Sequence, residues 1–223
     1  MMNFIALITG YLLGSIPTAY LIARYYTGRA EALEGGNVGT LNTIRRVGLG
    51  PGLAVAYLDI AKGAAAVFMA KFLFDADVPY VLGAGIMAVV GHNWMLWLHF
   101  KGGKGMATAL GAIVAASLSY NSPLIPVIFI IIIASVWWVR HNLVLGNAVG
   151  LLSLPAIVQL RTGSEMATAA AAVLAAVIII KYLPTAIADY HQRGWDALGL
   201  DEIKPKNGTY HKVPEITTRH KKG

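Results

Sequence analysis

The chain has 223 residues, of which 57% are hydrophobic and 13% charged; an ordinary soluble domain carries about 25% charged residues, so the composition excludes that class and indicates a polytopic membrane protein. There is no cysteine, which excludes disulfides, thiolate nucleophiles and zinc–thiolate sites. The formal net charge of +7 is typical of basic loops on one side of a membrane, and without a long basic arm carrying interleaved aromatic residues it does not predict nucleic-acid binding.

Long apolar segments account for most of the chain. A helix that crosses a membrane needs about 20 mostly apolar residues, and seven segments come near that length. They predict an all-α membrane protein of about seven transmembrane helices, forming a single polytopic domain over residues 1–183. The segments are 4–23, 53–74, 79–98, 106–120, 123–139, 143–160 and 166–183.

Basic residues concentrate in alternate loops of this arrangement, whereas one of the opposite loops carries Asp75 and Asp77. Cytoplasmic loops are enriched in lysine and arginine, so the bias predicts an N-terminus outside the cell and a C-terminus in the cytoplasm. Residues 184–223 form a polar, basic tail, which we expect to be cytoplasmic and to favour an anionic lipid surface. The basic residues of the predicted cytoplasmic loops are Arg24, Arg29, Arg45, Arg46, Lys101, Lys104 and Arg140.

The first cytoplasmic loop, residues 25–52, is too long to be a simple connector. It contains the sequence GGNVG at 35–39, followed by Asn42 and Arg45. A short helix that begins near Thr40 would place Asn42 and Arg45 on one face. This loop either forms a polar, cationic wall of a site at the membrane surface, or consists of glycine turns and charges that only set the topology.

Asp59 and Lys62 lie inside the second apolar segment. Ionisable groups in a membrane are costly and usually face the interior of the bundle in pairs. The two residues are three apart in a predicted helix, so we expect them to pair with each other. A role in orienting Arg45 or Lys104 is the alternative.

The stretch GHNWMLWLHFKGGKG at 91–105 carries the strongest signal of a site. Glycines let backbone N–H groups approach a ligand and lysines supply positive charge, which indicates a phosphate cradle in the loop 99–105. A stop between two membrane helices, without a ligand, is the alternative. His92 lies at the cytoplasmic mouth if its helix ends near residue 91, and deeper if the helix continues to 98. The cradle residues are Lys101, Gly102, Gly103 and Lys104.

Two other classes of function are less well supported by the residues. The six histidines are scattered and the acidic residues do not cluster with them, so we predict no metal site. Interruptions at Gly14, Pro17, Pro126 and Pro155 would suit the broken helices of a transporter. However, the polar residues concentrate in loops on one side, which favours an enzyme or a lipid-binding protein at the cytoplasmic surface.

Four motifs together resemble the PlsY family of bacterial membrane acyltransferases. They are GSIPTAYLIAR at 14–24, GGNVGTLNTIRRVG at 35–48, YLDIAKG at 57–63 and GHNWMLWLHFKGGKGMATALG at 91–111. The resemblance implies a seven-helix, N-out protein of the bacterial inner membrane whose active site faces the cytoplasm. It also implies transfer of an acyl group from acyl phosphate to glycerol 3-phosphate, giving lysophosphatidic acid. An activated donor of this kind requires neither metal nor coenzyme A.

The resemblance also implies roles for individual residues. Lys104 and Arg45 would hold the two phosphates, and His92 would orient a phosphate or assist proton transfer. The catalytic residues would be Lys104, Arg45, His92 and Asn37, and the substrate-binding residues Gly36, Gly39, Asn42, Lys101, Gly102, Gly103 and Asn147.

The chain departs from the family pattern at several polar positions. Gly35 replaces a serine of the active loop, Val144 and Asn147 stand in the places of two later serines, and Tyr182 and Thr185 fall where a histidine and an asparagine are expected. One interpretation is an acyltransferase with a rebuilt pocket. Another is a paralogue that binds a phosphorylated lipid or small molecule without transfer, and a third is a small transporter or structural membrane partner.

Overall fold

The computed structural model describes residues 1–28 and 38–193, with side chains as far as Ala188, and every regular element in these ranges is helical. A π-helical turn, Met69–Leu73, follows the fourth helix, and a 3-10 turn, Leu96–Leu98, follows the fifth. The α-helices are α1 (Met2–Gly14), α2 (Thr18–Thr27), α3 (Thr40–Arg46), α4 (Leu49–Phe68), α5 (Val78–Asn93), α6 (Met106–Ser119), α7 (Leu124–Arg140), α8 (Leu143–Thr162) and α9 (Glu165–Arg193).

The first predicted segment, 4–23, is interrupted, because α1 ends and α2 begins on either side of Pro17. Proline lacks the amide hydrogen that would continue the helical ladder. At the break, the carbonyl oxygen of Ile16 accepts two hydrogen bonds, one of 2.9 Å from the amide of Thr18 and one of 3.2 Å from Nζ of Lys62 in α4. A backbone group inside the bundle thereby gains a polar partner, as the membrane environment requires.

Five stretches of the described chain are long and apolar enough to cross a membrane. Two further apolar helices are shorter, since α6 has 14 residues and α7 has 17. The chain is therefore a multi-pass helical protein, while seven spans, the predicted orientation and the domain boundary at 183 stay predictions. The five stretches are Met2–Thr27, Leu49–Leu73, Val78–Leu98, Leu143–Thr162 and Glu165–Ala188.

Helices α4 and α6 pack closely through glycines. A Cβ atom on Gly111 of α6 would lie 1.9 Å from the carbonyl oxygen of Ile60 in α4, and one on Gly63 of α4 would lie 2.0 Å from the carbonyl oxygen of Thr108 in α6. Small residues let helix backbones approach, which is a common basis of helix association in membranes. Helices α1 and α5 meet through glycines in the same way.

The other main core joins α7, α8 and α9. Phe129, Leu154 and Ile178 are its largest fully buried side chains, and Val89, Ala109 and Ile113 extend it to α5 and α6. Helix α9 continues without interruption past residue 183, the end of the last predicted segment, to Arg193. The remaining tail lies outside the described residues.

The bundle has two distinct ends. The end of α5, the loop 99–105 and the start of α6 define what we call the lysine end. At the opposite end, Nδ2 of Asn3 donates a 2.6 Å hydrogen bond to Asp77, and Nζ of Lys71 donates to the carbonyl oxygen of Ser119. These contacts tie the start of α1 to the start of α5, and the end of α4 to the end of α6.

Candidate active site

The lysine end begins where α5 stops, at Asn93, between the two ends considered for this helix from the sequence. The chain then turns back through His99 and Phe100, both in the left-handed region with φ of 52° and 59°. As a result, the amide of Gly103 donates a 3.0 Å hydrogen bond to the carbonyl oxygen of His92. The glycine–lysine loop is thus bound to the last turn of α5.

The glycines of the loop have no room for side chains. A Cβ atom on Gly103 would lie 2.0 Å from Nε2 of His92, and one on Gly102 would lie 2.3 Å from the carbonyl oxygen of the same histidine. Gly105 packs in the same manner on Asn93. These glycines let the loop lie directly on α5. The amide of Gly103, predicted to hold a phosphate, bonds to protein here, so its contact with substrate stays a prediction.

Lys104 is half-buried in the loop just before α6, and its Nζ lies 4.3 Å from the centre of the Tyr182 ring. The neighbouring residue of α9, Lys181, places its Nζ 5.1 Å from the ring centre of Trp94. Two cation–π contacts therefore bring the last helix against the lysine end. The sequence pattern does not indicate this role of Tyr182, although the predicted topology places residue 183 on the same side as Lys104.

A buried polar cluster lies beside His92 and involves α2, α4 and α5. Oδ1 of Asp59 accepts a 2.6 Å hydrogen bond from Oγ1 of Thr18 and lies 2.9 Å from Nζ of Lys62. Nδ1 of His92 is 3.6 Å from the same oxygen. The predicted pairing of Asp59 with Lys62 is confirmed. Thr18 and His92, which lie 41 and 33 residues away from Asp59 along the chain, could not be assigned to this cluster from spacing.

The predicted short helix of the first loop is confirmed as α3, with Asn42 and Arg45 on it. Oδ1 of Asn42 accepts a 3.2 Å hydrogen bond from Nε of Arg46, while its amide nitrogen is buried without a hydrogen-bond partner among the described residues. The side chain of Arg45 is exposed. Gly39 caps the start of α3 in an extended conformation, and its carbonyl oxygen accepts hydrogen bonds from Thr43.

The structure thus joins Gly102, Gly103 and Lys104 to the end of α5 and, through His92, to the buried cluster. Lys101 is exposed on the loop and Asn147 is half-buried in the second turn of α8. The grouping of Lys101, Asn147, Asn42, Gly39 and Arg45 around one ligand stays a prediction. Gly35, Gly36 and Asn37 lie outside the described residues.

A cavity of about 360 Å³ lies away from this site. It is lined by α4, α5, α6, α7, α8 and α9 near the opposite end, and no predicted site residue within the described ranges lines it. Nor do residues 1–28 and 38–193 contain a group of three or more His, Asp or Glu side chains placed to hold a metal. Residues that line the cavity include Val67, Gly85, Ala112, Tyr120, Val158 and Leu174.

Comparison with known proteins agrees with the resemblance. Residues 4–188 match the family model described as glycerol-3-phosphate acyltransferase. Glycerol-3-phosphate acyltransferase 1 of Dehalococcoides mccartyi is 42% identical over 80% of this chain and 86% of its own length. The corresponding enzyme of Synechococcus sp. (strain CC9902) is 35% identical over the same shares of the two chains.

Solved structures point the same way. The crystal structure of PlsY (YgiH), described as an integral membrane glycerol 3-phosphate acyltransferase, superposes with a TM-score of 0.75 at 26% identity, covering 86% of this chain and 94% of the other. Both its glycerol 3-phosphate form and its lysophosphatidic acid form give these values. On the strength of the sequence match along most of its length and of this shared architecture, the chain belongs to the glycerol-3-phosphate acyltransferase family of membrane enzymes in phospholipid biosynthesis.

Proposed function

We propose that the protein transfers an acyl group from acyl phosphate to glycerol 3-phosphate and releases lysophosphatidic acid. One observation carries this proposal. The glycine–lysine loop is bound to the end of α5, which places Lys104 at one end of the helical bundle. A related PlsY has been crystallised in forms with glycerol 3-phosphate and with lysophosphatidic acid, which supports the same acceptor and product here. We place the site on the cytoplasmic face of the bacterial inner membrane, following the distribution of basic loops.

In the proposed reaction, the primary hydroxyl of glycerol 3-phosphate attacks the carbonyl carbon of the acyl phosphate. The new ester C–O bond forms as the C–O bond to the phosphate breaks, and the hydroxyl proton ends on the released phosphate. Phosphate is a good leaving group, so the protein contributes mainly by bringing the two substrates together and by stabilising negative charge. No covalent acyl-enzyme, metal or coenzyme A takes part.

The proposed roles follow the chemistry of each side chain. Lys104 and Arg45 bind phosphate oxygens, with Lys101 adding positive charge at the loop surface. His92 is 3% exposed and its Nε2 faces the loop, so its role is to orient a phosphate or to relay the hydroxyl proton.

The remaining polar groups complete the proposed pocket. Asn37 and Asn42 bind substrate oxygens, and Asn147 supplies a polar contact in the place of a family serine. Gly36, Gly39, Gly102 and Gly103 complete the set of residues that we propose to bind the substrates.

The proposal is tested with purified protein in a lipid cubic phase or in detergent, supplied with acyl phosphate and glycerol 3-phosphate. Phosphate and lysophosphatidic acid are measured together, with Lys104→Ala as the control. We expect the two products in equal amounts from the unaltered protein, and both at a rate at least about tenfold lower from the control. Parallel reactions replace acyl phosphate with acyl coenzyme A, or include EDTA.

Each other result identifies a different activity. Product from acyl coenzyme A alone, or a loss of activity with EDTA, contradicts the proposed donor or the metal-free reaction. Phosphate without lysophosphatidic acid indicates another acceptor. Binding of glycerol 3-phosphate without either product favours a paralogue that binds phosphorylated molecules without transfer.

A further inference from the structure

The cluster around Asp59 contains more than a neutralised ion pair. Asp59 is 1% exposed, Lys62 5% and His92 3%, and all three lie in segments long enough to span a membrane. Two opposite charges in such a place are expected to pair. Pairing alone does not require that a histidine from a different helix also face the carboxylate.

The carboxylate of Asp59 is fixed from two directions. Thr18 of α2 donates to Oδ1 at 2.6 Å, and Nζ of Lys62 lies 2.9 Å from the same atom. Lys62 is itself fixed by the carbonyl oxygen of Ile16, which the break at Pro17 makes available. Two helices, α2 and α4, and the break before α2 therefore set the position of one carboxylate oxygen before His92 is considered.

The imidazole of His92 connects this oxygen with the glycine–lysine loop. Its Nδ1 is 3.6 Å from Oδ1 of Asp59, and its Nε2 occupies the space that a Cβ atom on Gly103 would need. The separation of 3.6 Å is longer than a hydrogen bond, and Nδ1 has no hydrogen-bond partner among the described residues. The attraction across this distance is electrostatic.

From this arrangement we infer that Asp59 is a positioning residue that acts through His92. The carboxylate holds the proton of the imidazole on Nδ1 and leaves the Nε2 lone pair toward Gly103 and the loop that leads to Lys104. Which nitrogen of a histidine carries the proton is commonly decided by the partner of the other nitrogen. Thr18 and Lys62 assist by holding the carboxylate. The expected effect of Asp59 on activity rests on the proposed transfer reaction. Its expected effect on the tautomer of His92 does not.

The first test is a double-mutant cycle with Asp59→Asn, His92→Gln and the double variant. Asparagine keeps the shape and an acceptor oxygen but removes the charge. We expect Asp59→Asn to lower kcat at least tenfold, with a smaller change in KM for glycerol 3-phosphate, and to lower it no further when His92 is already glutamine. Residues that act as a unit give such non-additive effects. If Asp59→Asn lowers kcat, measured per folded protein, by the same factor in the unaltered and in the His92→Gln background, the inference is overturned and the pair is purely structural.

The second test does not depend on activity. The chain has six histidines, and the ring nitrogen signals of His92 in a ¹⁵N-histidine spectrum are assigned by their loss in His92→Gln. We expect a single tautomer with the proton on Nδ1 in the unaltered protein, and a mixture or the other tautomer in Asp59→Asn. The same spectrum in both proteins overturns the inference. If the unaltered protein transfers no acyl group, the proposed function fails and this spectrum alone decides the role of Asp59.

A second pair of variants covers the case in which Asp59→Asn does not fold. Thr18→Val removes the hydroxyl that holds the carboxylate, whereas Thr18→Ser keeps it. We expect Thr18→Val to lower kcat several-fold and to broaden the His92 signals, and Thr18→Ser to recover most of both. Equal behaviour of the two variants contradicts the inference.

Discussion

The amide of Gly103 donates a 3.0 Å hydrogen bond to the carbonyl oxygen of His92, so the loop that carries Lys104 is attached to the last turn of α5. The imidazole of the same histidine lies against the α-carbon of Gly103, on the side where any other residue would have a Cβ atom. Backbone and side chain of one residue therefore both determine the path of the loop. Gly103 is required for this fit whether or not it touches a substrate.

Replacing Gly103 by alanine tests that fit. The new Cβ atom would lie 2.0 Å from Nε2 of His92, so the loop or the imidazole has to move. We expect transferase activity to fall by about 100-fold, since displacement of catalytic groups by 1 Å can cost that much. Gly50→Ala is the matched control, because nothing lies within 4 Å of its added Cβ atom. An equal fall in both variants, measured as kcat/KM with thermal stability in parallel, would contradict the proposed packing.

Removal of the Lys104 ammonium tests its proposed contact with phosphate. A hydrogen bond to a charged group contributes about 1.5–3 kcal/mol, so Lys104→Ala should lower kcat/KM by roughly 10- to 150-fold or more. Arg161→Ala removes the same charge from an exposed residue at the opposite end, next to the cavity, and should change kcat/KM less than twofold. Steady-state rates with glycerol 3-phosphate varied at fixed acyl phosphate make the comparison. If both variants lose activity equally, the site is not at the lysine end.

The contact between Lys104 and Tyr182 is tested by two substitutions of the ring. Cation–π attraction contributes about 0.5–2 kcal/mol depending on desolvation. Tyr182→Leu removes it and should raise KM for at least one substrate by about 3- to 10-fold, because Lys104 loses its lateral support. Tyr182→Phe keeps the aromatic face and should stay nearer to the unaltered protein. Equal defects in Tyr182→Phe and Tyr182→Leu, both of which lack the hydroxyl group, would instead assign the function to that group.

Features that depend on neighbours along the chain were predictable from the sequence. The apolar segments correspond to helices, the short helix α3 begins at Thr40, and Asp59 pairs with Lys62 at a spacing of three. Each of these follows from a period or a spacing within one element. The position of the loop 99–105 after the α5 segment also follows from the order of the chain.

Contacts between distant elements were not predictable in the same way. The bond from Thr18 to Asp59 spans 41 residues, and the contact of Lys104 with Tyr182 joins the loop 99–105 to α9. Neither periodicity nor charge distribution specifies how far each helix is rotated, so the facing residues stay undetermined. The interruption at Pro17 had a visible signal, but its consequence, a carbonyl oxygen directed to Lys62, depends on the packing of α2 on α4.

The close packing of α4 and α6 predicts a strong effect of Gly111→Ala on stability. The added Cβ atom would lie 1.9 Å from the carbonyl oxygen of Ile60, a backbone atom that cannot rotate away, so the helices have to separate. Overpacking of this kind typically costs about 1–3 kcal/mol, and we expect the free energy of unfolding to fall by that amount in a detergent titration. Gly50→Ala should leave it unchanged or raise it slightly, since alanine has the higher helix propensity. Because α6 begins two residues after Lys104, a separation of these helices should also reduce activity, at least in proportion to the loss of folded protein. If Gly111→Ala is as stable as the control, the backbones of α4 and α6 do not approach as the structure describes.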